Sequence, residues 1–238
     1  MAFTHSPKIV TDGLLVAYDV ANTKSYVSGS PSFVDMTNRL YSGSLVSIGF
    51  GADTGSYISF DGTTSYVDTP FPTELSAFPA LDFSVTCWLN IRTMPGSGTV
   101  YQRIFDICRS IAPDNCFQLA SSGDNNTMQF YGRKNTTQYG KRMQIGATPL
   151  NRWIHVACTW RDATNTPMLY VDGVEQTNAQ GGNATATGTN VFNIGKRANS
   201  GAGSFYDGKM SMFMMYTKTL SQTEVLQNYE ATRGRYGV

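Results

Sequence analysis

The sequence predicts an all-β fold: an antiparallel β-sandwich (jelly roll) with one short C-terminal helix. Three observations carry this reading. Short runs of strand-forming residues recur along the chain, turn dipeptides separate them, and one well-specified helix start stands near the end. The 238 residues, 41% of them hydrophobic, are enough for one large core. The expected organisation is an extension over residues 1–12 followed by a single domain over residues 13–238.

Residues 13–19 (GLLVAYD) open the strand series. Residues 56–67 (SYISFDGTTSYV) read as two strands around Asp61-Gly62, a dipeptide that favours turns with positive φ. Residues 83–91 alternate: Phe83, Val85, Cys87, Leu89 and Ile91 share one parity, and Ser84, Thr86, Trp88 and Asn90 the other. That pattern predicts a half-buried strand whose second face is polar apart from Trp88. Residues 103–108, 116–120, 128–131 and 153–160 follow as strands. Residues 168–171 and 174–176, joined by Asp172-Gly173, form the clearest hairpin. Residues 177–190 read as a polar surface loop, and residues 191–195 and 208–216 close the set. The run Met210, Met212, Phe213, Met214, Met215 reads as a strand buried on both faces.

The helix is specified by Ser221 and Glu224, an S-x-x-E capping box. Leu220 and Val225 fit a hydrophobic staple around the cap. Val225, Leu226 and Tyr229 supply one apolar face. Gly234 fits a left-handed C-terminal cap, with Arg233 beside the negative end of the dipole.

Charge narrows the function classes. The net charge is +1 and no Lys/Arg run exists, so neither a nucleic acid nor an anionic membrane is an expected partner. No apolar stretch approaches the roughly 20 residues that span a bilayer. The opening residues lack a charged segment followed by an apolar one, so no secretory signal is expected and synthesis in a cytoplasm is. Four cysteines with no C-x-x-C pair, and two histidines, make a zinc site improbable. The cysteines are expected to be buried and reduced, although a Cys108–Cys116 bridge across a hairpin is geometrically conceivable.

Six segments in order resemble LamG-like jelly-roll domains of the concanavalin A-like lectin/glucanase superfamily. They are SFDGTTSYVDTP (59–70), FSVTCWLNIR (83–92), NRWIHVACTWRD (151–162), MLYVDGVEQ (168–176), FNIGKR (192–197) and FYDGKMSMFMMYTKTLSQTEVLQNY (205–229). Residues 13–26 (GLLVAYDVANTKSY) and 228–237 (NYEATRGRYG) are similar to the two ends of such proteins in tailed-bacteriophage virions. The resemblance implies a virion structural protein, a capsid decoration protein or a tail or fibre component. It would assemble in the host cytoplasm, form a homo-oligomer and bind other virion proteins. Residues 27–50 depart from the family pattern, with Phe33-Val34-Asp35-Met36-Thr37 in place of a W-x-D-x-S segment. The second reading is a free lectin-like module that binds a surface polysaccharide.

Glycosidases of this superfamily need two carboxylates flanking the scissile bond. The four glutamates, Glu74, Glu175, Glu224 and Glu230, fall in neither an E-x-D-x-E nor an E-x-D-x-x-E arrangement. No catalytic residue is therefore expected, nor an enzyme. His5 lies in the N-terminal extension, and His155 reads as a strand histidine satisfied by a neighbour. The resemblance implies calcium at a rim of the sandwich, with Asp61 and Asp207 as candidates beside a plain turn role; no other cofactor is expected. A glycan site is expected at Tyr131, Arg133, Asn135 and Tyr139, read as an exposed loop. Arg233, Arg235 and Tyr236 are the candidates for contact with another subunit.

Overall fold

The computed structural model describes residues 7–37, 39–52, 55–96, 101–109, 115–123, 126–135, 137–144, 147–179, 190–197 and 204–238. The strands in chain order are β1 (Leu14–Asp19), β2 (Ser44–Val46), β3 (Gly49–Gly51), β4 (Tyr57–Asp61), β5 (Tyr66–Thr69), β6 (Phe83–Ile91), β7 (Tyr101–Arg109) and β8 (Asn115–Ser122). They continue as β9 (Thr127–Lys134), β10 (Thr137–Arg142), β11 (Trp153–Arg161), β12 (Thr166–Val171), β13 (Val174–Glu175), β14 (Asn178–Ala179), β15 (Val191–Ile194) and β16 (Asp207–Tyr216), before the helix α1 (Gln222–Thr232). Among the described residues, no helix is long and apolar enough to cross a membrane.

Two eight-stranded antiparallel sheets stack face to face. The back sheet runs β13-β12-β11-β6-β16-β4-β3, with β1 also on β16. The front sheet runs β14-β10-β9-β8-β7-β15-β5-β2. The residues on either side of Asp61-Gly62 both form strands, but β4 lies in the back sheet and β5 in the front sheet. That turn therefore carries the chain across the sandwich rather than closing a hairpin. At Asp172-Gly173 the hairpin forms as expected, with φ of 50° and 79°, values that glycine and aspartate tolerate best.

The core lies between the sheets and is rich in aromatic rings. Phe83 and Trp160 from the back sheet meet Phe117 and Phe130 from the front sheet, with Phe117 and Trp160 4.6 Å apart at their centroids. The indole N–H of Trp160 donates to the Pro79 carbonyl at 3.1 Å, so its polar end is satisfied inside the core. Cys87 and Cys158 are free and buried, and Cys108 and Cys116 are bonded to each other as a cross-strand pair.

β6 is buried on both faces, not one. Its second face lies under α1, and Trp88 is stacked on Tyr236 at 4.0 Å and donates its indole N–H to Thr232 Oγ1 at 2.8 Å. The capping box forms: the Ser221 hydroxyl accepts from the Glu224 N–H, and the Glu224 carboxylate accepts from the Ser221 N–H. The other end differs from expectation. Gly234 takes no left-handed conformation, and residues 233–235 continue as a 3-10 turn that lays Tyr236 into the aromatic cluster.

The chain start is tied to the same helix. The Val10 N–H donates to Asn228 Oδ1 (2.8 Å), the Asn228 amide donates to the Tyr216 hydroxyl (3.0 Å), and that hydroxyl donates to the Val10 carbonyl (3.2 Å). This closed ring satisfies three polar groups buried beneath α1.

Candidate functional site

The outer face of the front sheet is polar. Register places Asp68, Asn193, Asp106, Gln118 and Tyr131 opposite one another across β5, β15, β7, β8 and β9. In the next row Cys108, Cys116, Arg133 and Gln138 are aligned. Arg103 lies beside them, with its guanidinium 4.7 Å from the Tyr101 ring centre and 5.6 Å from that of Tyr131. A guanidinium between two phenol rings is held by cation–π attraction, which fixes its direction without using its N–H groups.

Arg103 Nε and Nη1, Gln118 Oε1 and the Tyr131 hydroxyl are buried without a hydrogen-bond partner among the described residues. Each such atom costs about 1–3 kcal/mol, so native chains seldom leave several together. Burial also pushes the Tyr131 hydroxyl well above its usual pKa, so it remains a donor. From fully buried Asp106 in the first row the face steps to half-buried Arg133 and Gln138 in the next row. The first row and the adjoining Arg103 offer donors from Arg103 and Tyr131, and an acceptor from Gln118. A hydroxyl-rich ligand needs both.

The four expected glycan residues divide. Tyr131 and Arg133 lie on this face. Tyr139 does not: it is on β10 opposite Gly132, turned toward the core, with its ring 5.2 Å from Trp160. Asn135 sits at the β9–β10 turn with φ of 56°, and its N–H donates to Asn115 Oδ1 at 2.9 Å. The segment expected as a loop is a hairpin, and its strand period sends the two tyrosines to opposite faces. Arg103, Asp106 and Gln118 were missed by sequence reasoning. The signal present was the shared parity of Asp106 with Cys108 and of Gln118 with Cys116; a β-bulge between Arg103 and Phe105 brings Arg103 to this face against its sequence parity.

The expected calcium candidates face each other, since Asp61 and Asp207 pair across β4 and β16. Asp61 accepts the N–H groups of Thr63, Thr64 and Ser65 and the Thr64 hydroxyl. Burial pulls its carboxyl up, but the Thr64 hydroxyl and these N–H groups outweigh it and hold it well below the usual range. Asp207 pairs with Arg92 at 2.5 Å and accepts from the Thr93 hydroxyl. Protein donors therefore stand where a cation would have to bind, and the geometry is that of turn and ion-pair chemistry.

The three expected contact residues also divide. Tyr236 is buried in its own chain between Trp88 and Trp153. Arg235 pairs with buried Asp19 at 2.7 Å. Arg233 is exposed beside Glu230. His155 departs from expectation too. It is fully buried against Trp88 and Tyr229, and neither ring nitrogen has a partner. Burial lowers its pKa to about 3. His5 lies outside the described residues.

A family model, Laminin_G_3, described as the concanavalin A-like lectin/glucanases superfamily, matches residues 61–226, well over half of the chain. The chain belongs to this superfamily. Among solved structures, likeness of fold extends to a Trypanosoma rangeli sialidase mutant displaying trans-sialidase activity, with a TM-score of 0.66 and 16% identity over 95% of this chain and 34% of that one. The receptor binding domain of a botulinum neurotoxin C/D mosaic serotype gives a TM-score of 0.68 at 11% identity, over 94% of this chain and 52% of that one. A third match is to botulinum neurotoxin type C, described as depending on interaction with two ganglioside molecules to enter cells. It gives a TM-score of 0.64 at 11% identity over 92% of this chain and 51% of that one. The chain thus spans about a third of the sialidase chains and half of the toxin domains. No curated protein sequence matches it.

These neighbours correct one expectation. The sequence pattern was read as not that of an enzyme, yet the fold is shared with sialidases, which are enzymes, as well as with lectins. Missing glutamate spacing addresses one glucanase arrangement and not the other chemistries this architecture hosts. At these identities the likeness shows the fold alone.

Proposed function

We propose that the chain is a glycan-recognition domain that binds a surface polysaccharide on the outer face of its front sheet, as a component of a tailed-bacteriophage particle. The observation that carries the binding reading is the cluster of Arg103, Gln118 and Tyr131, whose buried polar atoms lack partners on one face. Sugar hydroxyls supply the missing hydrogen bonds, and half-buried Arg133 and Gln138 mark the side from which a chain of sugars would reach them. The similar botulinum toxin structures, a receptor binding domain and one whose cell entry depends on two ganglioside molecules, support the class of ligand. The particle context rests on residues 13–26 and 228–237, which resemble the ends of phage virion proteins. Several copies on one particle would multiply weak single-site binding.

A glycan array probed with the full chain, with and without Ca²⁺, tests the binding. Saturable binding to a polysaccharide is expected, weakened by about fivefold or more in Tyr131→Phe or Gln118→Leu, each of which removes one hydrogen-bonding atom. No saturable binding across the array would remove this reading. Mass spectrometry of purified particles tests the context: a fixed copy number is expected, and absence of the chain would refute it.

A further inference from the structure

The back sheet carries a second cleft, on the opposite side of the sandwich from the front-sheet row. It has a volume of about 410 Å³ and lies between the outer ends of β11 and β12 and the start of α1. That size falls in the range of small-ligand sites, roughly 300–1,000 Å³.

Thr159 lines this cleft. It is fully buried, and its hydroxyl has no partner. Neighbouring hydroxyls are engaged. Ser84, opposite Thr159 on β6, bonds the Lys218 carbonyl and the Leu220 N–H. Thr219 donates to the Trp160 carbonyl, and Thr166 bonds Thr164. Thr159 therefore borders the space with a polar group that has no partner among the described residues.

Arg161 lies two residues along the same face and also lines the cleft. It is exposed and has no ion pair among the described residues. Asp162, the next residue in the chain, is already paired with Lys134 at 2.5 Å, and Glu224 in the first turn of α1 with Lys218 at 2.7 Å. Gln222, the first residue of α1, lines the cleft beside Arg161. The capping box uses the Ser221 and Glu224 N–H groups, which leaves the N–H groups of the first turn at the positive end of the helix dipole. Met168, Leu220 and the ring of Tyr170 supply apolar wall.

One guanidinium beside one helix start suits a single negative charge presented as a flat fork, which is a carboxylate. A phosphate brings closer to two charges and meets only one cation here. The buried hydroxyl and the apolar wall suit a ring that carries both hydroxyls and a CH face. We propose that this cleft binds a uronic acid, a carboxylate-bearing sugar, with its carboxylate between Arg161 and the first turn of α1 and a ring hydroxyl on Thr159. The proposal stands apart from the front-sheet reading, because it uses other residues on another sheet.

The test is an NMR titration of the ¹⁵N-labelled full chain with methyl glucuronide, neutral methyl glucoside and inorganic phosphate. Saturable shifts at the amides of Thr159, Tyr170 and Gln222 are expected with the glucuronide and none with the glucoside. Arg161→Gln, at an exposed position, is expected to weaken binding at least about tenfold. Thr159→Val, nearly isosteric and deleting an unbonded hydroxyl, is expected to weaken it about threefold without lowering Tm. Absence of saturable shifts with the glucuronide overturns the proposal. So do equal shifts with the glucoside, tighter saturation of the same amides by phosphate, shifts confined to front-sheet amides, or unchanged affinity in Arg161→Gln.

Discussion

The two outer faces of this sandwich are built from the same kind of strand and put to different uses. On the back sheet, Trp88, Trp153, Met212, Met214 and Tyr216 are sealed beneath α1 and the chain start. On the front sheet, Arg103, Gln118 and Tyr131 stand with Asp106 in a polar row, and the first three carry buried hydrogen-bonding atoms with no partner among the described residues. One face contributes to folding by removing apolar surface from water. The other gives up some stability by keeping polar atoms unsatisfied, a cost that recognition sites commonly carry. Substitutions should therefore separate: those under α1 should damage the fold, and those on the front row should damage binding alone.

The largest expected effect is Trp88→Ala. It removes the ring stacked on Tyr236 and the bond to Thr232, and should cost about 3–5 kcal/mol in chemical denaturation. A loss below about 1 kcal/mol would mean that α1 does not depend on this face. His155 comes next. In the unfolded chain it takes up a proton as pH falls through about 6.5, whereas burial delays this to about 3 in the folded protein. Stability should therefore fall as pH drops through that window, by on the order of 4 kcal/mol across it. His155→Leu should flatten the upper part of this slope. The part near pH 4 should remain, because Asp61 is held low by its turn donors and Glu224 chiefly by the Lys218 ammonium. An unchanged slope above pH 4.5 in the variant would exclude His155 as its source.

Ser221→Ala removes the capping hydroxyl and should cost about 1 kcal/mol. The smallest stability effect belongs to the front row. Gln118→Leu deletes a buried unpartnered oxygen and should leave stability unchanged or raise it by about 1 kcal/mol while weakening glycan binding. A large destabilisation there would show that the row is structural and would erase the contrast between the faces.

Much of the scaffold was legible because local chemistry decided it. The strand over Phe83–Ile91, the Asp172-Gly173 turn and the Ser221/Glu224 box are each decided over a few residues, and all three form where expected. The misses are tertiary. A strand face bearing Ser84, Thr86 and one Trp reads as half-exposed, and only the docking of a distant helix buries it. Asp61-Gly62 has the chemistry of a turn, but which sheet each flanking strand joins is decided by β16 and β15 far along the chain. Residues 137–142 (TQYGKR) carry few strand formers, so a loop is read where β10 stands, and the loop reading hides that Tyr139 turns toward the core. The front row was hard to find for a related reason: isolated polar residues in strands look solvated, and only register shows Asp106, Gln118 and Tyr131 side by side.

Lys8 and Gln227 are bonded to each other, and Val238 lies within reach of Arg233, so both ends of the described chain emerge behind the back sheet. A carrier protein or immobilising tag joined there would leave the opposite slab surface unobstructed. Immobilised through either end, the molecule would display the Arg133 side of the front sheet away from its support, an orientation suited to a surface-binding assay.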